Sequence, residues 1–309
     1  MKLESSSHNR QENGNDNNQQ IDQRIFDLYD EYCHGEMDRR EFLRRASLVT
    51  IAGVSALSMA QALLPRYAEA AVVSFNDDRI KARYVEYPSP GGNSGEMRGY
   101  LVQPAGDGPF PAVLVVHENR GLNPYIEDVA RRCALQGFLA LAPDGLYPAG
   151  GYPGNDDEGR TLQRGLDQAK LKQDMLNSAH YLKTLDQSTG ALGATGFCWG
   201  GGVVNFLAVN MGEDIRAVVP YYGASVPGED VASISAAVMV QSAENDPRIN
   251  ALWPDFEAAL KGNDVDYQRC LYPGTQHGFH NTSTPRYNEA AAELSWQRTL
   301  EFFQEHLSS

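Results

Sequence analysis

From residue 80 to the carboxyl terminus, short apolar runs of strand length alternate with longer stretches whose apolar positions recur at helical spacing. Residues 80–87 and 97–103 read as an antiparallel pair about the Pro- and Gly-rich turn at 88–95. Residues 111–117, 138–142, 193–195, 215–223, 236–241 and 267–272 read as further strands, several apolar enough to be buried on both faces. Helices are expected over 125–136, 161–185, 201–208 and 285–306, the last with Trp296, Leu300 and Phe303 on one face. Strands alternating with helices predict the α/β class, with a mostly parallel central sheet flanked by helices on both faces.

The first seventy residues follow another pattern. Residues 1–20 are nearly all polar and cannot bury enough surface to fold. Ile21, Ile25, Leu28, Tyr29 and Tyr32 then mark a short amphipathic helix, so residues 1–36 read as a leader that carries one helix. Residues 37–70 begin with Asp38-Arg39-Arg40-Glu41-Phe42-Leu43, continue through a weakly apolar run at 46–64 and close on Ala68-Glu69-Ala70. Paired arginines, Phe-Leu, a mild apolar core and a small-x-small site resemble a twin-arginine export signal. Its length also suits a membrane span, but the Gly, Ser and Thr content and the cleavage site favour removal near Ala70. The expectations are transient contact with the twin-arginine translocase, an exported and periplasmic location, and no stable membrane anchor.

Chemistry concentrates at Gly196-Phe197-Cys198-Trp199-Gly200. A strand turning abruptly into a helix leaves room only for hydrogen at the positions two before and two after its tip, and Gly196 and Gly200 meet that demand. The helix behind the turn starts at the thiol, where its positive end favours both a thiolate and a developing oxyanion. A nucleophile elbow with Cys198 at its tip is therefore expected. Its partners follow in chain order: Asp246 in the polar turn after residues 236–241, and His277 in the loop after residues 267–272. A base that activates the nucleophile and a carboxylate that fixes the base are the needs of a triad.

The elbow, the Asp246 turn, His277-Gly278-Phe279 and Val116-His117-Glu118-Asn119-Arg120-Gly121 together resemble the dienelactone hydrolase family, over about residues 80–309. The resemblance implies an α/β-hydrolase fold and a lactone or small ester hydrolysed through a thioester acyl-enzyme. It also implies that Glu118 helps to activate the thiol and that the backbone amides of Trp199 and Asn119 form the oxyanion hole. No cofactor or metal is expected, and the spacing of His277 and His280 lacks the third ligand a zinc site needs. One position departs from the family: where relatives that open dienelactone place a carboxylate-binding arginine, four residues beyond the catalytic histidine, this chain has Asn281. A neutral amide cannot supply the bidentate contact of a guanidinium. Arg120 and Arg160 are candidates to rebuild an anion site, and Tyr147 and Tyr152 candidates to line the pocket. A broad carboxylesterase, and a hydrolase-fold binding protein without turnover, remain alternatives.

Charge narrows the choice of partner. The chain carries 26 Lys and Arg against 40 Asp and Glu, a net charge of −14. Eight and eleven of these fall in the first seventy residues, leaving 18 against 29 in a domain spanning 71–309. Such an acidic surface excludes nucleic acid as a partner. Of the four cysteines, Cys133, Cys198 and Cys270 remain after residue 70, an odd count without close spacing and hence without a disulfide framework.

Overall fold

The structure is a computed structural model, described here for residues 23–33, 37, 39–49 and 70–308. The polar leader at 1–20 and most of the expected signal, including residues 51–69, lie outside the described residues.

Helices α1 (Gln23–Cys33) and α2 (Arg39–Leu48) come first. Then follow β1 (Ile80–Pro88), β2 (Glu96–Pro104), β3 (Phe110–Val116), α3 (Pro124–Leu135), β4 (Leu139–Pro143), α4 (Asp156–Gly165) and α5 (Gln168–Thr184). The chain continues through β5 (Ser188–Phe197), α6 (Trp199–Met211), β6 (Ala217–Tyr221), β7 (Ala237–Asn245) and α7 (Pro247–Asn250). It ends with α8 (Trp253–Gly262), β8 (Tyr267–Gln276) and α9 (Glu289–Leu307). The strands form one eight-stranded sheet in the order β1-β2-β4-β3-β5-β6-β7-β8. Only β1–β2 and β2–β4 pair antiparallel; every other neighbouring pair is parallel.

Alternation along β3 explains the two layers around the sheet. Val113 and Val115 face α3 and α9 with Ile126, Val129 and Phe303. Ala112, Leu114 and Val116 face α5 and α6 with Leu171, Met175 and Leu207. Helices thus cover both faces, as an α/β-hydrolase fold requires. The single long helix expected at 161–185 is two helices. Leu166 takes an extended conformation, and the Asp167 carboxylate accepts the N–H groups of Ala169 and Lys170 at 3.0 and 3.1 Å, starting α5 afresh. Helix α8 has no counterpart in the sequence reading.

The amphipathic pattern at 21–36 becomes α1, and Ile25, Tyr29 and Tyr32 are buried against Phe42 and Ala46 of α2. Tyr32 and Phe42 stack with ring centroids 5.1 Å apart. Phe42, the aromatic of the paired-arginine motif, is fully buried in this hairpin. Among the described residues no helix is long and apolar enough to cross a membrane.

Candidate active site

Cys198 sits where β5 ends and α6 begins, with φ +57° and ψ −114°. That is a strained conformation for a residue with a side chain, of the kind that collects at functional sites. The glycines behave as the steric argument requires. A Cβ on Gly196 would lie 2.5 Å from the carbonyl oxygen of Gly200, and one on Gly200 would lie 2.5 Å from those of Val116 and His117. The elbow is therefore pressed against the end of β3, to which β5 is paired through Val116 and Gly196.

The other groups arrive from the carboxyl ends of parallel strands, where open α/β sheets gather their ligands. Asp246 follows β7 and caps α7, accepting the N–H of Ile249 at 3.3 Å. His277 follows β8, and its Nδ1 meets Asp246 Oδ2 at 2.6 Å. Cys198 also acts on the charge of His277. Both side chains of the His277–Asp246 pair are almost fully buried. Burial alone lowers the basicity of His277, but Cys198 and Asp246 outweigh it and push the imidazole up to about 9. Burial likewise raises Asp246, and the neighbouring His277 overrides it, holding the carboxyl below its usual range. His277 is thus hydrogen-bonded to Asp246 on one side and electrostatically coupled to Cys198.

Glu118 follows β3 and is buried, and that burial raises its proton affinity against the opposing pull of Arg120. Arg120 reaches it at 3.4 Å and pairs with Asp156 at 2.7 Å, while Tyr152 donates to the same Asp156 at 2.9 Å. Asn281 donates Nδ2–H to Glu118 Oε2 at 3.0 Å, and its own Oδ1 accepts from the N–H and hydroxyl of Ser283. His117 stacks on Trp199 with centroids 5.3 Å apart; its Nε2 accepts the N–H of Gly145, and its Nδ1 is 2.5 Å from the Glu118 carbonyl oxygen. His280 Nδ1 pairs with the Tyr125 hydroxyl at 2.7 Å amid Phe197 and Tyr221, so its environment is a packed aromatic cluster. Among the described residues no group of three or more His, Cys, Asp or Glu is arranged to hold a metal ion.

Cys198, Trp199 and Asn119 open on a cavity of about 730 Å³. Its lining includes apolar Val203, Phe206, Val226 and Ile249 and charged Arg160, Arg164, Lys172, Asp230 and Arg248. Trp199 opens α6, whose first-turn N–H groups have no partner within the helix.

A model of the dienelactone hydrolase family matches residues 97–307. The chain belongs to the dienelactone hydrolase family. "Putative hydrolase fragment YghX" of Escherichia coli (strain K12) is 62% identical over 115 residues, 37% of this chain and 97% of the relative. "Putative carboxymethylenebutenolidase" of the same organism is 31% identical over 251 residues, 76% of this chain and 91% of the relative. A crystal structure of "Putative Dienelactone Hydrolase" from Klebsiella pneumoniae subsp. pneumoniae MGH 78578 superposes with a TM-score of 0.63 at 26% identity, covering 73% of this chain and all of that one. A separate model, described as YqhI-like, matches residues 13–52, which include helices α1 and α2. Membership makes the chain a hydrolase of esters or lactones on an α/β-hydrolase fold.

Of the expected substrate-binding residues, Arg160 alone lines the cavity. Arg120 is withdrawn into its ion pairs with Asp156 and Glu118. Tyr147 lies outside the cavity lining and donates to Glu86 at 3.2 Å. Asn281 faces Glu118, because Ser283 fixes its amide the other way round. The sequence reading passed over Tyr222, which lines the cavity and holds its ring 4.9 Å from that of His277 at φ +38°. Its signal was Tyr221-Tyr222-Gly223 at the end of the strand between nucleophile and acid. Gly223 is needed there because a Cβ would fall 2.3 Å from the backbone of Gly201. Arg286 was also missed, since nothing in the sequence announces that it packs on Gly278.

Proposed function

We propose that the chain hydrolyses a lactone or small carboxylic ester through Cys198, His277 and Asp246, by way of a thioester. The observation that carries this is the buried hydrogen bond of His277 to Asp246, coupled in charge to Cys198, which lines a cavity together with apolar and cationic side chains. The Cys198 sulfur attacks the carbonyl carbon while its proton resides on His277 Nε2. Charge developing on the carbonyl oxygen meets the backbone N–H groups of Trp199 and Asn119, each such donor being worth ~3 kcal/mol of barrier. His277 protonates the departing alkoxide, which in a lactone remains tethered to the acyl group. Water, giving its proton to His277, then attacks the thioester; the acid leaves and the thiol is restored. Glu118, beside this site with elevated proton affinity, is suited to take the thiol proton as the substrate enters and to pass it on to His277.

The test is hydrolysis of dienelactone and of p-nitrophenyl acetate, with Cys198→Ala beside the parent chain. Cys198-dependent turnover of either supports the reading. Activity on the simple ester alone selects a carboxylesterase, in keeping with Asn281 where the family has arginine. Absence of Cys198-dependent turnover on both would favour a binding protein.

We also infer export through the twin-arginine translocase with cleavage after Ala70, giving a periplasmic enzyme. Its support is the order of Arg39-Arg40, Phe42-Leu43, the apolar run and Ala68-Glu69-Ala70. Replacing Arg39 and Arg40 together by Lys should retain the protein in the cytoplasmic fraction; unchanged fractionation would contradict export by this route.

A further inference from the structure

Two arginines beside the site are held by the amino-terminal hairpin. Arg286 lies beyond the His277 loop, and its guanidinium packs on Gly278, where an added Cβ would meet it at 3.4 Å. Asp30 of α1 pairs with that guanidinium at 3.2 Å, and the Tyr29 ring centroid lies 4.6 Å from it. Arg160 lines the Cys198 cavity, and its guanidinium lies 4.2 Å from the Tyr32 ring centroid. Arg160 also pairs with Asp157, which receives the Tyr32 hydroxyl. Both arginine side chains are only 4% exposed. Three residues of α1 thus touch both flanks of the site, while Tyr29 and Tyr32 also pack in the hairpin core with Phe42.

The contacts are complementary in kind. A carboxylate balances one guanidinium, and aromatic faces cover both, an arrangement that stabilises a cation while keeping solvent from it. The influence of α1 extends inward: Asp30 acts on the charge of Asp246, and Arg286 on that of Glu118. We propose that α1 is an intramolecular clasp that masks Arg286 and Arg160, so that releasing the hairpin exposes a cationic surface to anionic groups approaching Cys198. Cleavage after Ala70 is one route of release. The proposal takes the Cys198 cavity as the reactive site, as the proposed function does, but it needs no turnover.

The test uses the full chain and two alkylating reagents that differ in charge, anionic iodoacetate and neutral iodoacetamide. Each forms a sulfur–carbon bond and expels iodide, and labelling is followed on the Cys198 peptide by mass spectrometry. In Asp30→Asn the iodoacetate-to-iodoacetamide rate ratio should rise about threefold, as expected for loss of one negative charge that already acts on Asp246 and pairs with Arg286. Asp30→Glu should restore the parent ratio, and Tyr29→Ala combined with Tyr32→Ala should raise it at least as far. Thermal melting of each variant separates this effect from unfolding, and Asp30→Asn carries the test alone if the double variant does not fold. An unchanged ratio in Asp30→Asn overturns the proposal. So does an equal acceleration of both reagents, which would make α1 a barrier to access and not a mask of charge. A chain that fails to hydrolyse esters yet shows the ratio change would overturn the proposed function and leave the clasp standing.

Discussion

Asn281 donates its amide to Glu118 at 3.0 Å, joining the residue four beyond His277 to the acid beside the elbow. The side chain at this position is thus engaged by Glu118. Asn281→Asp removes the donor and sets a second carboxyl against Glu118, raising its proton affinity further. Glu118 then stays protonated and cannot take up the thiol proton, so kcat should fall about tenfold or more while KM for a neutral ester changes little. Steady-state kinetics on p-nitrophenyl acetate check this; a change confined to KM would return Asn281 to substrate binding.

Gly200 and Gly202, both in the first turn of α6, should respond to alanine in opposite ways. Gly200→Ala drives a Cβ to within 2.5 Å of two carbonyl oxygens at the end of β3, and neither can retreat without disturbing the sheet. A destabilisation on the order of 2–4 kcal/mol is expected. At Gly202 the nearest neighbour of an added Cβ lies 3.6 Å away, an ordinary van der Waals contact. Gly202→Ala should therefore be neutral or stabilising by up to about 1 kcal/mol from helix propensity. Denaturant unfolding of both variants decides the matter, and equal losses would contradict the steric account of the elbow.

The raised basicity of His277 makes stability depend on pH in a definite direction. Between the ordinary imidazole value and about 9 the folded chain binds a proton that the unfolded chain has released, so stability falls as pH rises through this window. The contribution is fully present below the window and amounts to at most about 3 kcal/mol. His277→Gln should flatten unfolding free energy against pH over that range. An equal slope in parent and variant would show that the proton is held elsewhere.

Much of this was legible in the sequence because it rests on local rules. Gly196 and Gly200 announce a turn that only hydrogen can fill, and the strand-helix alternation specifies the layers around β3. Contacts across long separations were not legible. Asn281 lies 163 residues from Glu118, and no pattern in either segment encodes their meeting. The break at Leu166 escaped notice because apolar periodicity runs on across it, whereas the Asp167 cap that restarts α5 depends on two backbone N–H groups. Tyr29 and Tyr32 were recognisable as one face of a helix, but not as the contact with Arg286 and Arg160.

Tyr222 is expected to position His277. Its ring lies 4.9 Å from the imidazole, and the strained backbone at φ +38° brings it there. Tyr222→Phe keeps the ring and should retain most activity, whereas Tyr222→Leu should lower kcat about tenfold with little change in KM, since a misplaced base loses catalytic alignment. Equal loss in both variants would assign the effect to the phenolic hydroxyl.

The most direct test of the central claim is capture of the acyl-enzyme. The parent chain is mixed briefly with p-nitrophenyl acetate, quenched in acid and digested, and its peptides are weighed. A single acetyl group on the Cys198 peptide, absent from Cys198→Ala and accumulating in His277→Gln if thioester hydrolysis is slowed more than acylation, is the predicted result. Ester turnover without any acyl group on Cys198, or turnover undiminished in Cys198→Ala, would contradict it.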